Sequence, residues 1–449
     1  MERTAFMSPS RPRQLTLTMF TIGFGYHNDA WRHPSSVAEQ VGSLKVVAEM
    51  AQAAERAKLD AVFFADNVAS GAIRKNAVRG ASFYEPIATM GALIGSTEKI
   101  GMIGTMSTTW SEPFQVARQF AALDQLSGGR IGWNVVTSIN GNENFGREQM
   151  PLPEQRYERA MEFVDVVLQL WDSWDRDAII CDRETARWVD PDRVREIDHV
   201  GEHFRVKGPL SIPRSPQERP VVVQAGQSAA GIELGSSYAD LIYTVQPELD
   251  AAIAFRTDYR QRVAAKGRNP DGVRILPGIM PITGRTKAEA QEFADELANC
   301  IYEPGGREVV ERLLDVSVAD LELTERIPLE RLIDGPQRME RWKLFRDLSQ
   351  EMTLGELMVH VSRAVGHRVM VDTPDRIADS MIEWFEAGAC DGFNFNPPSV
   401  PEGMHRMFDL LVPVLQERGY FREDYEGDTF RERSGLVLDE PSTVAEPVG

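Results

Sequence analysis

"PFQVARQFAALDQLSGGRIGWNVVTS", residues 113–138, is a helix-like stretch followed at once by a short apolar run. In that run Ile131, Trp133, Val135 and Val136 suit a strand covered on both faces, yet Asn134 stands among them. Such strands run nearly unbroken in Val, Ile and Leu, so an amide there needs partners or faces something polar. Period-two alternation puts Asn134, Val136 and Ser138 on one face. The same unit recurs along the chain. Apolar runs at 15–21, 59–66, 100–108, 130–138, 220–226, 239–245, 274–284 and 391–398 alternate with helical patterns such as "LKVVAEMAQAAERA" and "PDRIADSMIEWFEAG". Eight strands, each followed by a helix, predict an α/β fold of the (β/α)8 TIM-barrel type. A doubly wound sheet is the competing arrangement, but "GFGYHN" after the first strand supplies GxG with no third glycine and no clean helix start.

Two stretches exceed what a barrel needs. Residues 139–156 and 172–219 flank the helix after strand four, and 300–370 lies between strands seven and eight; loops of that length are usually functional. Within the later insertion "RMERWKLFRDLSQ" and "LGELMVHVSRAV" read as helical, so 300–370 is expected to form a partly helical cap on a single barrel domain spanning 1–449. The end, 436–449, is expected to be a flexible tail.

The chain carries 68 Asp plus Glu against 49 Lys plus Arg, a net charge of -19 spread along its length, which disfavours nucleic acid or an anionic membrane as partner. No segment reaches the roughly 18 apolar residues of a membrane helix and no apolar signal core opens the sequence, so a cytoplasmic protein is expected. Cys181, Cys300 and Cys390 are far apart and form no CxxC pair, which suggests neither a disulfide framework nor a thiolate zinc site. His199 and His203 have the spacing of two helical metal ligands, but Gly201 separates them and nothing completes a site. No metal is expected.

A β/α barrel carries its chemistry at the carboxyl ends of its strands. Those ends hold Asp66, Ser107 with Thr108, Asn134 with Thr137 and Ser138, Gln224 with Gly226, and Asn394 with Asn396. This polar, mostly uncharged set suits the hydrogen-bonding edge of a planar heterocycle. In "QAGQSAAG" strand five ends at Gly226 and a helix starts near Ser228, whose free amides can accept a phosphate; an N-cap with no ligand fits the same residues equally. Tyr157, in "EQRYERA" at the start of the preceding helix, is placed to reach the same anion.

Several stretches resemble the bacterial-luciferase-type flavin monooxygenases: "AWRHP", "LDAVFFAD", "FAALDQLSGGRIGWNVVTS" with the later "NFG", "GEHFRVKGPLSIPRSPQERPVVVQAGQS", "DGFNFNPP" and "LVPVLQERGYFREDYEGDTFRE". The similarity is to the branch of nitrilotriacetate monooxygenase, dibenzothiophene sulfone monooxygenase, pristinamycin IIA synthase and long-chain alkane monooxygenase, over about residues 15–435. It implies a TIM barrel, a homodimer or homotetramer, that receives reduced FMN (FMNH2) from a separate flavin reductase. NAD(P)H would act only through that partner, and O2 would be used to oxygenate or cleave a small organic substrate. The resemblance also implies that Asp66, Ser107, Thr108 and Asn134 line the isoalloxazine and that Ser138 lies near its reactive central ring. Tyr157 and Ser228, with Gly226 and Gln227 in the same loop, would hold the phosphate. Phe20 and His27 would lie over the substrate side, and His367, in "GHRVMVDTP", would touch flavin or substrate. Asn134, Ser138 and His27 are thereby the catalytic candidates. One departure is Ile139, which stands where the alkane enzyme's pattern has a His. Rival expectations are a riboflavin-cleaving lyase of the same family, a deazaflavin-dependent oxidoreductase and a flavin-binding protein without turnover.

Overall fold

The computed structural model describes residues 13–69, 84–332 and 341–438. Eight parallel strands close a barrel: β1 (Thr16–Phe20), β2 (Ala61–Phe64), β3 (Gly101–Ser107), β4 (Ile131–Val136), β5 (Val221–Gln224), β6 (Leu241–Thr244), β7 (Arg274–Thr283) and, last in the chain, β9 (Gly392–Phe395). Neighbours in sequence pair in order, β6 pairs with β7, and β9 closes the ring between β7 and β1. A ninth strand, β8 (Arg368–Asp372), extends the sheet beside the far half of β7, from Ile279 to Thr283. Its first three residues fall inside the stretch that the sequence reads as insertion, 300–370, and its last two lie just before the helical pattern that begins at Pro374. All five of its residues are half-buried, so the two-sided apolar signal of a barrel strand is missing.

Alternation along the strands divides two cores. Ile131, Trp133 and Val135 of β4 pack outward, where Trp133 meets Phe120, Phe163 and Trp171 of the helices α3 (Pro113–Ser127) and α4 (Pro153–Trp171). Inside the ring Phe63, Ile103, Val223, Tyr243 and Leu276 form a separate cluster with Phe430 and Leu436. Phe430 reaches into the amino-terminal end of the barrel, over Gly101 and Gly132, where a Cβ at Gly101 would sit 2.8 Å from its ring. The chain end therefore plugs the barrel floor. Leu436 is 5% exposed, one residue into the stretch expected to be a tail, and 439–449 lie outside the described residues.

The excursion after α4 contains two small antiparallel hairpins, Ile179–Asp182 with Arg187–Val189 and His199–Val200 with Arg205–Val206. Here the histidine pair is structural. His199 Nε2 meets Glu162 Oε1 at 3.0 Å, and Glu162 also accepts the His203 and Phe204 amides. Beyond β7 come α7 (Lys287–Asn299), α8 (Glu303–Leu314), α9 (Arg341–Glu351) and α10 (Leu354–Ala364). The last three share an apolar cluster built on Val310, Leu314, Trp342, Phe345, Leu357 and Val361. The three cysteines are free, and no helix among the described residues is long and apolar enough to cross a membrane.

Candidate active site

A cavity of about 370 Å³ opens at the carboxyl ends of β2, β3 and β4, lined by Asp66, Asn67, Thr105, Ser107, Thr137, Ser138 and their neighbours. Asn134 stands beside it, 4% exposed, and donates from Nδ2 to Thr105 Oγ1 at 2.8 Å. Thr105 is its register partner across the β3–β4 ladder. One hydroxyl serves only one end of the amide, and Asn134 Oδ1 is buried with no donor. At the strand end Ser138 Oγ donates to Ser107 Oγ at 2.7 Å; Ser107 also accepts the Thr109 amide, which leaves its own proton to give. Asp66 lies at the rim, its pKa raised from the ordinary carboxylate value chiefly by partial burial. Thr108 departs from expectation. Fully buried, it turns its hydroxyl to the Val136 carbonyl at 3.2 Å rather than into the cavity.

The loop carrying "NFG" is tied down beside the cavity. Phe145 stacks on Trp110 with ring centroids 4.8 Å apart, Trp110 donates to the Asn140 carbonyl, and Asn144 donates to the Val68 carbonyl. Ile139 stands 69% exposed among the lining residues.

A second group forms around helix α5 (Ala229–Tyr238). Ser228 caps it by accepting the Gly231 amide, and Tyr157 Oη lies 3.3 Å from Ser228 Oγ. Two residues 71 apart in sequence thus meet at a helix start whose first amides are unpaired within the helix. Gly226 permits the approach, since a Cβ there would sit 3.2 Å from Gly231 Cα and 2.5 Å from Gln224 Nε2. The Gln227 side chain is taken up by the Val245 backbone, donating to its carbonyl and accepting its amide, so it staples the β5 and β6 loops instead of projecting toward an anion. Arg156, which sequence reasoning passed over, joins this group to the cavity by donating to the Thr137 and Ser138 carbonyls at 3.1 and 2.6 Å. Its position beside Tyr157 at a helix start was the available signal.

The third group gathers on the β1, β6 and β9 side. Phe20 packs against Tyr26, Phe63 and Tyr243. His367 stacks on Tyr243 at 5.1 Å and bonds its hydroxyl through Nε2 at 2.9 Å. Tyr243 donates in turn to Asn396 Oδ1, which also accepts from Asn394, and Asn394 accepts from Thr18. His367 is therefore tied into a buried polar chain across the barrel. Gly278 leaves it room: a Cβ there would fall 2.3 Å from His367 Nδ1 and 2.9 Å from the Tyr243 hydroxyl. Gly278→Ala is expected to destabilise the fold by about 1–3 kcal/mol through overpacking, read as a lower urea midpoint at unchanged slope.

His27 is fully buried, with Nδ1 accepting the Asp29 amide, so the proton sits on Nε2, which has no acceptor. Burial first, then the nearby Arg363 and His33, bring its pKa down to about 3. Near neutral pH it is an uncharged donor and not a titrating base. Between its unfolded pKa of about 6.5 and the folded value, the unfolded chain binds a proton that the native protein refuses. This histidine's contribution is thus intact above about pH 6.5 and is lost progressively as pH falls. Denaturant titrations at pH 7 and pH 4.5 should show His27→Gln losing less stability on acidification than the parent; equal losses would contradict the assignment.

The profile of the Luciferase-like monooxygenase family matches residues 19–390. The chain belongs to that family. N-acetyl-S-(2-succino)cysteine monooxygenase of Bacillus subtilis is 40% identical over 432 residues, 95% of this chain and 98% of that protein. Nitrilotriacetate monooxygenase component A of Aminobacter aminovorans is 37% identical over 97% of this chain and 99% of its own. The crystal structure of a long-chain alkane monooxygenase superposes with a TM-score of 0.82 at 30% identity, covering 94% and 96% of the two chains. This luciferase-like chain is accordingly a flavin-dependent monooxygenase, of a family that uses reduced flavin and O2.

Proposed function

We propose that the chain oxygenates a small organic substrate with FMNH2 delivered by a separate reductase. The observation that carries this reading is Asn134, whose buried Oδ1 lacks a donor beside the hydroxyl-rich cavity. A flavin ring presents N–H and C=O groups along one polar edge and meets that need, where a wholly apolar ligand would leave the acceptor stranded. Asp66, Ser107, Asn134 and Ser138 would hold the ring. Tyr157, Ser228 and the α5 amides would hold the phosphate, the usual partner of a helix start. Bound there, reduced FMN supplies the electrons that activate dioxygen. The protein's own work is to fix the ring, keep water out and offer hydrogen bonds. Ser107 has a proton to give, Ser138 holds it in place, and Arg156 anchors the Ser138 backbone. His27 offers an uncharged N–H on the β1 side.

A relative named as "component A" supports a second component that supplies the flavin. N-acetyl-S-(2-succino)cysteine and nitrilotriacetate, after which the two relatives are named, are the first substrates to try. Oxygen uptake and product should be followed with FMN, NADH and an added flavin reductase. Product that requires all three and the protein supports the proposal. Loss of the ribityl chain from the flavin under these conditions would make the flavin the substrate, and oxygen uptake indifferent to the protein, with no product, would contradict the proposal.

A further inference from the structure

At the opposite end of the barrel, where the strands begin, lies a larger pit of about 580 Å³. Six arginines line it: Arg13 before β1, Arg256 and Arg260 of α6 (Leu249–Ala265), Arg274 at the start of β7, and Arg422 and Arg433 of the chain end. The carboxylates facing them are fewer. Asp391 is shared by Arg13 and Arg256, Asp271 pairs with Arg260, and Asp60, fully buried below, takes Arg422. The lining of the pit itself carries six guanidiniums against two carboxylates, Asp271 and Asp391, in a chain whose net charge is -19, while Arg422 and Arg433 also border a neighbouring hollow lined by Glu423, Asp424, Glu426 and Glu432.

Two of these side chains lack a carboxylate partner among the described residues. There Arg274 donates only to the Asp271 and Gly435 carbonyls, and Arg433 only to those of Gly427 and Asp428. Arg433 is 8% exposed, and its Nε and Nη2 are buried without an acceptor, as is Arg422 Nη1. Burial pushes the pKa of both Arg274 and Arg433 down. A buried guanidinium with unpaired donors is costly unless an anion meets it, and a forked donor set is suited to oxyanions. The floor of a β/α barrel ordinarily serves stability alone.

We propose that this pit is a binding site for a small polyanion bearing two or more phosphate or carboxylate groups, separate from the flavin end. The volume lies within the range of small-molecule sites and exceeds the needs of a single inorganic anion.

The test is calorimetric titration of the full chain with inorganic pyrophosphate and, separately, citrate, at ionic strength matched with sodium chloride. Saturable binding of either probe is expected, with pyrophosphate alone pointing to a phosphate ligand and citrate alone to a carboxylate. Arg274→Gln should raise the half-saturating concentration about tenfold or more. Should that variant not fold, Arg260→Gln, whose partner Asp271 is solvent-exposed at the rim, is read in its place with the same expected loss. Heat that only tracks ionic strength, or unchanged affinity in the folded arginine variant, overturns the proposal. So does binding that vanishes with Tyr157→Phe and Ser228→Ala, which would place the anion at the other end of the barrel.

Discussion

Tyr157→Phe combined with Ser228→Ala is expected to weaken FMN binding by about 1.5–3 kcal/mol, roughly tenfold to a hundredfold, because hydrogen bonds to a charged phosphate are among the stronger ones. The two hydroxyls lie 3.3 Å apart, so their losses should not simply add. Ser228 also caps α5, and losing that cap costs about 1 kcal/mol of stability. The barrel core does not depend on it. Fluorescence titration with FMN and with riboflavin separates the effects. The variant should lose affinity for FMN while riboflavin, which has no phosphate, binds as it does to the parent. Equal losses for both ligands would mean that the pair supports the loop and not the phosphate.

The larger effect is expected at the ring. Asn134→Leu with Ser138→Ala removes the unpaired acceptor beside the cavity and the hydroxyl that holds Ser107. If these groups only satisfied one another within the strands, the change would cost at most a few kcal/mol of stability and leave the chemistry alone. If they orient the flavin, oxygen still reacts but is released as hydrogen peroxide. Product formed per reduced FMN should then fall by roughly an order of magnitude or more, the scale of losing a fixed reacting geometry. Single-turnover reactions with pre-reduced FMN give the ratio of product to peroxide. A folded variant with the parent's ratio would remove both residues from the site.

Much of this was legible because each signal was local. Asn134 interrupted an apolar run, and the structure gives it Thr105 on one side and nothing on the other. Ser228 read as a helix cap and is one, and its meeting with Tyr157 follows from two helix starts lying on the same rim. What escaped depended on contacts that no local pattern carries. Thr105 matters only through the β3–β4 register, and Arg156 only because its guanidinium folds back onto the preceding loop. The Gln227 side chain was expected at the anion, but the β6 edge offers it two backbone partners. Strand β8 lacked a two-sided apolar pattern because it edges the barrel without entering it. The arginine pit is assembled from four distant parts of the chain, each an ordinary charged residue in its own neighbourhood.

Whether the carboxyl-end cavity takes up reduced FMN as a shuttled cofactor is measured by anaerobic equilibrium dialysis. The protein is dialysed against photoreduced FMN, oxidised FMN and a reduced deazaflavin in parallel. Saturable binding of reduced FMN is expected, one per chain, with weaker retention of oxidised FMN and no preference for the deazaflavin. Failure to retain reduced FMN, or an oxidised flavin that stays on the protein through exhaustive dialysis, would contradict a shuttled cofactor.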